Sequence, residues 1–179
     1  MSYHHGDLRR AVLTAAVEAI NEQGPAGLTL RDLARRAGVS HAAPVHHFKD
    51  KAGLLTALAI EGWERLADTL ADQNGDLLES GVAYVRFAVE HRAHFEVMFR
   101  PDLYRAEDPG VVTARDRAGG YLAGGVESVG AEGELAGIAA WSIVHGFATL
   151  WLTGALPPEL GDDLDAAARS VARMLFNSD

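Results

Sequence analysis

The 179-residue chain contains no cysteine, which excludes disulfide scaffolds, thiolate zinc sites and cysteine nucleophiles together. No charged-then-apolar leader opens it, and no apolar run near 18 residues free of charge is read in it, so neither a signal segment nor a membrane-spanning helix is expected. Strand signals are also missing, because no stretch of alternating β-branched residues lies between turn signals. Internal repeats, low-complexity tracts, glycine-rich phosphate loops and exposed-serine elbows are absent as well. What remains is a chain with 48% hydrophobic and 23% charged residues. It is too apolar for disorder and long enough to bury a core. The expectation is an all-α, soluble, cytoplasmic protein with no membrane partner and no cofactor. The His4-His5 pair is too short for an expression tag and reads as native sequence.

Charge is distributed unevenly around a formal net value of −9. Residues 1–51 hold seven basic side chains (Arg9, Arg10, Arg31, Arg35, Arg36, Lys49, Lys51), five acidic ones and five of the eight histidines. The remaining nine basic and 20 acidic groups lie in residues 52–179. Two domains are therefore expected, 1–50 and 51–179. A nucleic-acid contact would have to be made by the first, since the second is repelled by polyanions.

Helix signals are plentiful. The first helix is predicted from Asp7, as N-cap, to Gln23, with Leu8, Val12, Ala16 and Ile20 stacked at i+4 spacing and Gly24-Pro25 ending it. Thr29-Leu30-Arg31-Asp32 has capping-box spacing, and Leu30, Leu33, Ala34 and Ala37 line one face of a short second helix that Gly38 stops. Gly38-Val39-Ser40 is a tight step: the glycine takes a left-handed conformation, Val39 plugs the angle, and Ser40 caps a third helix over about 41–47. Pro44 falls in that helix's first turn or just after it, where a missing amide costs far less than in mid-helix. Two short helices across such a turn form a helix-turn-helix. Asp50 caps a fourth helix, 51–73, carrying Leu55, Leu58, Gly62, Trp63 and Leu66 on one side. Connections at 74–75, 100–110, 130–133 and 154–161 delimit further helices near 76–99, 111–129, 134–153 and 162–177, the first breaking around Arg92.

A helix presented by a tight turn exposes its first residues to a major groove while the preceding helix lies across the sugar-phosphate backbone. That assigns His41, Ala42, Ala43, Val45 and His46 to base edges, with the histidines discriminating and the apolar residues meeting thymine methyls. Thr29, Ser40 and Lys51 sit at helix starts, suited to gripping phosphates. Val39 and Phe48 hold the helices together.

The stretch TLRDLARRAGVSHAAPVHHFKDKAGLL, from Thr29 to Leu55, resembles the DNA-binding domain of TetR-type transcriptional regulators. The first helix, YHHGDLRRAVLTAAVEAINEQG, and the Gly24 to Thr29 connection match too, so the likeness covers roughly residues 3–60. The resemblance implies an amino-terminal three-helix DNA reader, a carboxyl-terminal helical body for effector binding and dimerisation, and a homodimer on double-stranded operator DNA. Members are more often repressors, released from a palindromic operator by a small-molecule effector. One departure stands out. The usual Leu-Tyr pair of the third helix is Pro44-Val45, which removes a phosphate-binding hydroxyl and predicts modest affinity; His47 keeps the usual His-Phe step.

The body holds most of the large apolar side chains, among them Phe87, Phe95, Met98, Phe99, Tyr104, Tyr121, Trp141, Phe147 and Trp151. Most must be core. Trp63, Phe87, Phe95, Phe99, Tyr121, Trp141 and His145 are the candidate ligand-binding residues. In AAWSIVHGFATLWLTG, Gly146 and the alanines permit close helix approach. Trp141 with His145-Gly146 is similar to a TetR subgroup with a Trp, His and Gly pattern, which implies pairing of the helices near 134–153 and 162–177 with their symmetry mates. His145 reads either as a polar group in an apolar pocket or as a core histidine bonded to a backbone carbonyl.

An enzymatic reading would rest on Glu90, His91 and His94, whose spacing puts two of them on one helical face. A di-iron bundle needs two Glu-x-x-His elements and a zinc protease a His-Glu-x-x-His. Neither is present, so no metal site and no enzyme are expected.

Overall fold

A computed structural model describes residues 5–128 and 134–175 of the chain. Nine α-helices are formed among the described residues: α1 His5–Gln23, α2 Leu30–Arg36, α3 Ala42–Phe48, α4 Lys51–Ala71, α5 Leu77–Glu90, α6 Arg92–Met98, α7 Pro109–Ser128, α8 Glu134–Leu152 and α9 Leu164–Ala172. No strand occurs among them. The expected connection at 130–133, residue 129 and the end of the last helix at 176–177 lie outside the described residues, as does His4.

Two compact units result, Met1–Trp63 with Ala93–Thr113, and Glu64–Arg92 with Ala114–Asp179. In the first, Val12, Ala16 and Ile20 of α1 are buried together with Leu33 and Ala34 of α2 and Leu54, Leu55 and Leu58 of α4. The i+4 stripe read from the sequence is thus the core face. In the second, α5 contributes Val82, Val85 and Phe87, α8 contributes Val144, Phe147 and Ala148, and α9 contributes Ala167, Ala168 and Ala172. Two ion pairs join α5 to α9: Arg169 to Glu79 at 2.8 Å, and Arg86 to Asp165.

Local chemistry explains most element ends. Gly38 ends α2 with φ +64, the Val39 N–H donating to Ala34 O at 3.0 Å and the Gly38 N–H to Arg35 O at 3.3 Å. This is a Schellman closure, and the left-handed residue it needs is the one without a Cβ. Asp50, Asp76 and Asp163 accept the amides of Gly53, Glu79 and Ala166 and so cap α4, α5 and α9. The break near Arg92 is present, with His91 at φ −116, ψ 41 separating α5 from α6.

Four expectations need correcting. Asp7 is not an N-cap, because α1 begins two residues earlier at His5. Thr29 does cap α2, its hydroxyl accepting the Asp32 N–H at 3.2 Å, but the Asp32 carboxylate pairs with Arg35 at 2.6 Å and Arg36 at 2.8 Å instead of reaching back. A charged partner outcompetes a neutral amide. At α3 the cap position is His41, and Ser40 contributes only its carbonyl, which takes the Ala43 N–H at 3.0 Å. The reading of uncharged runs also fails: Leu135–Leu152 is 18 residues long without Asp, Glu, Lys or Arg, and only 22% of it is buried. By length and composition alone α8 could cross a membrane, and its uncovered face must be accounted for.

Candidate nucleic-acid interface

The site is built on α3. Pro44 and Phe48 are buried against α1 and α2, whereas His41, Ala42, Val45 and His46 are exposed and Ala43 is half-buried. Val45 is 52% exposed. A β-branched apolar side chain left in water on a seven-residue helix gains nothing for the fold, and it suits contact with another apolar surface. Pro44 occupies the third helical position, where its absent N–H is one that the helix leaves unpaired anyway. The helix is therefore held by one side and open on the other.

Its exit is strained. Lys49 has φ 70 and ψ −55, and the Asp50 N–H donates to Phe48 O at 2.9 Å. These define a γ-turn of the uncommon left-handed kind, on a residue that carries a Cβ. Gly53, in the first turn of α4, explains how the turn fits: a Cβ there would lie 2.0 Å from Phe48 O. Arg9 of α1 places its guanidinium 5.6 Å from the centroid of the Phe48 ring, a cation–π contact that steadies the end of α3.

The three phosphate candidates differ in their freedom. Ser40 and Thr29 are exposed. Lys51 is half-buried, and its ammonium donates to Ala26 O at 2.8 Å, tying the start of α4 to the α1–α2 connection. Two N–H donors of the ammonium remain. The Gly53 N–H, and with it the Arg105 guanidinium, holds the Asp50 carboxyl below the usual carboxylate range, so the negative charge beside Lys49 and Lys51 persists in mild acid.

The candidate ligand residues fall into separate groups. In the first unit Trp63 and Phe99 meet edge to face at 5.2 Å, and Phe95 meets Phe99 at 5.0 Å. In the second, Trp141 and His145 have ring centroids 5.7 Å apart. His145 Nδ1 lies 2.8 Å from the Tyr84 hydroxyl, and Trp141 Nε1–H donates to that same oxygen at 3.2 Å. Burial lowers the His145 imidazole and raises the Tyr84 phenol from their ordinary values. With a neutral imidazole protonated on Nε2, the Tyr84 O–H donates to Nδ1. Phe87 is buried with its ring 5.0 Å from His91, while Tyr121 is 38% exposed on α7. Tyr84 escapes sequence reasoning because its partners are 57 and 61 residues away.

The Glu90, His91 and His94 set is not presented by one helix, because α5 ends at Glu90 and α6 starts at Arg92, which breaks the assumed i+4 phase. His94 is buried in α6 with Nε2 3.7 Å from a Glu61 carboxylate oxygen. Among the described residues no group of three or more His, Cys, Asp and Glu side chains converges on a metal-sized space.

Comparison with known proteins decides the family. Residues 77–175 match the tetracyclin repressor-like, C-terminal domain, and residues 12–58 match the bacterial regulatory proteins of the tetR family. The chain belongs to the TetR family. Among relatives of this TetR-family chain, the HTH-type transcriptional regulator BetI of Escherichia coli O139:H28 is 42% identical over 65 residues, 36% of this chain and 33% of BetI. The chain thus matches about a third of that relative's length. A protein with unknown function from Rhodococcus sp. RHA1 superposes with a TM-score of 0.80 at 31% identity, over 98% of this chain and 97% of that one. The TetR-like regulator LfrR from Mycobacterium smegmatis, in complex with proflavine, shares the fold with a TM-score of 0.69 at 16% identity, over 96% of each chain. The BetI likeness is confined to about a third of either chain, whereas the structural likenesses run through both units.

Proposed function

We propose that this TetR-family chain is a cytoplasmic, non-enzymatic transcriptional regulator, a repressor that leaves a palindromic operator when a small-molecule effector binds. The observation that carries the reading is α3 itself: a short helix, set by the Gly38 closure, whose exposed side presents His41, Ala42, Val45 and His46. The division of labour follows the sequence reading, with residues 1–50 as reader and 51–179 as effector and dimerisation domain. In a dimer, two such helices about 34–36 Å apart enter successive major grooves on one face of the duplex. His41 and His46 read base edges, Ala42, Ala43 and Val45 meet thymine methyls, and Thr29, Ser40 and Lys51 hold phosphates.

The dimer reading is supported by α8, whose open face carries exposed Leu135, Ile138 and Leu150 beside Ala139, Ser142, Thr149 and half-buried Gly146, with Thr153 just past its end. The small residues recur at alternating spacings of three and four, which lets a second helix approach closely along the seam. The Thr149 and Thr153 hydroxyls are already bonded inside the helix, to His145 O at 2.9 Å and Thr149 O at 3.0 Å, so the seam demands no polar partner from them. A second copy of α8, with α9 alongside, is the occupant we assign. For the effector, Trp63, Phe95 and Phe99 in the first unit and Phe87, Tyr121, Trp141 and His145 in the second are the separate candidate contacts; LfrR, of the same fold, is in complex with proflavine. An effector shifts the operator equilibrium only by its differential affinity for the two forms.

Selection of bound duplexes from a random library, followed by a footprint of the DNA upstream of the chain's own reading frame with and without candidate effectors, tests the function. A palindromic site released by one effector supports it, and failure to select any duplex contradicts it. Two substitutions sort the contacts. Lys51→Ala is expected to weaken binding to all duplexes by a similar factor and to lower the slope of log affinity against log salt by about one for each phosphate no longer held. An unchanged slope removes Lys51 from the phosphate set. His41→Ala is expected instead to relax preference at one base position by about 1–3 kcal/mol, and a uniform loss across a site library contradicts that assignment.

A further inference from the structure

The connection between α6 and α7, residues 99–108, is braced internally. Tyr104 O–H donates to Met98 O at 2.9 Å from a buried position, Arg100 pairs with Asp102 at 2.9 Å, and the Asp108 N–H donates to Arg105 O at 3.0 Å. It is also strapped onto α4. The Arg105 N–H donates to the Thr56 hydroxyl at 3.0 Å, and Thr56 is 5% exposed with its own O–H on Ala52 O at 2.7 Å. The Arg105 guanidinium pairs with Asp50 at 2.7 Å, 55 residues away in sequence. A Cβ on Gly53 would come within 2.8 Å of Arg105 Nη1 as well as 2.0 Å of Phe48 O, so guanidinium and carbonyl crowd one notch at the start of α4.

We infer that Arg105 is a positioning residue for DNA reading: through Asp50 it locks the strained turn at Lys49 and so fixes the pose of α3. This rests on the function proposed above. A left-handed turn on a residue with a Cβ persists only where its surroundings over-determine it. Here the restraints on Asp50 are its N–H on Phe48 O, its carboxylate on the Gly53 N–H, and the Arg105 guanidinium. The first two belong to the turn and its own helix. Arg105 brings to Asp50 itself a restraint from elsewhere, beside the Arg9 and Lys51 contacts that hold Phe48 and the start of α4, and it is anchored independently by its backbone at Thr56. Its charge does not suit stability alone, since a cation beside the amino end of α4 opposes the helix dipole. Holding Asp50 in place gives that charge a purpose.

The test compares the full-length parent, Arg105→Gln and Arg105→Lys on the duplex that the parent selects and on a scrambled duplex, across a salt series, with melting curves for each. An exposed ion pair alters a local equilibrium by about two- to fivefold, and two heads act together, so Arg105→Gln is expected to weaken the selected duplex by about four- to twenty-five-fold. The scrambled duplex, the salt slope and the melting temperature stay near the parent's, and Arg105→Lys recovers most of the loss. Affinity within twofold of the parent overturns the inference. A uniform loss on both duplexes with a lower slope makes Arg105 a phosphate contact and overturns it too, as does a loss that tracks a fall in melting temperature. If the parent selects no duplex, the regulator reading and this inference fall together, whereas a parent that selects one leaves only the inference at stake.

Discussion

Gly146→Arg is expected to convert the proposed dimer into a folded monomer and to weaken operator binding by about two orders of magnitude or more. Nothing lies within 4 Å of a Cβ built at Gly146, so the first atom of a new side chain meets no clash within its own subunit. Replacing glycine inside a helix also removes a propensity cost of about 1 kcal/mol. The variant is therefore expected to stay folded, with melting near the parent's as the check. Between two copies of α8, by contrast, the substitution places two like charges at the closest point of an apolar seam, where each ion loses several kcal/mol of hydration. Losing the second reading head forfeits the avidity of a linked pair, a factor of about 10² to 10⁴. Light scattering at micromolar concentration, together with operator titration, reads both effects. A dimer that survives the substitution places the interface elsewhere. A parent chain that stays monomeric and partitions into phosphatidylcholine vesicles would assign the open face of α8 to lipid.

Gly53→Ala acts on the other unit and by a different route. A Cβ 2.0 Å from Phe48 O cannot be absorbed by a flexible side chain, because the atom it meets is backbone at the end of the recognition helix. Either α4 loses its first turn, with the Asp50 cap, or α3 is pushed away from Arg9 and the core. Overpacking of this kind costs about 1–3 kcal/mol and sometimes more. For a chain of this size each 1 kcal/mol shifts the midpoint by about 2–4 °C, so a fall of up to about 12 °C is expected. DNA binding should fall further than stability does, since the displaced element is the one that reads. A variant that melts and binds like the parent would show that the turn at Lys49 adjusts freely, and it would weaken the case for Arg105 as its restraint.

What the sequence disclosed depended on how local the controlling chemistry is. The Gly38 closure, the Asp50 cap, the buried face of α4 and the break before Arg92 are all set by neighbours within a turn or two, and each is legible as residue type at fixed spacing. The errors arose where several local partners compete. Asp32 had both an amide and two arginines in reach, and Ser40 and His41 were both able to start α3. The uncharged run in α8 is hard to see because Ser142, His145 and Thr149 interrupt its apolar pattern without adding charge. Long-range partners were not legible at all. Tyr84 finds Trp141 and His145 across 57 and 61 residues, and Arg105 finds Asp50 across 55. A lone tyrosine or arginine carries no mark of such pairings. The γ-turn at Lys49 was equally hidden, since lysine gives no signal for a positive φ.

On the proposed reading, the exposed side of α3 enters the major groove twice on one face of DNA. Dimethyl sulfate protection on the selected duplex examines it directly, because the reagent marks guanine N7 in the major groove and adenine N3 in the minor groove. Protected guanines are expected in two half-sites related by a two-fold axis and about one helical turn apart, with adenines within those half-sites still reactive. Protection confined to adenines, or guanines equally reactive with and without the protein, would contradict it.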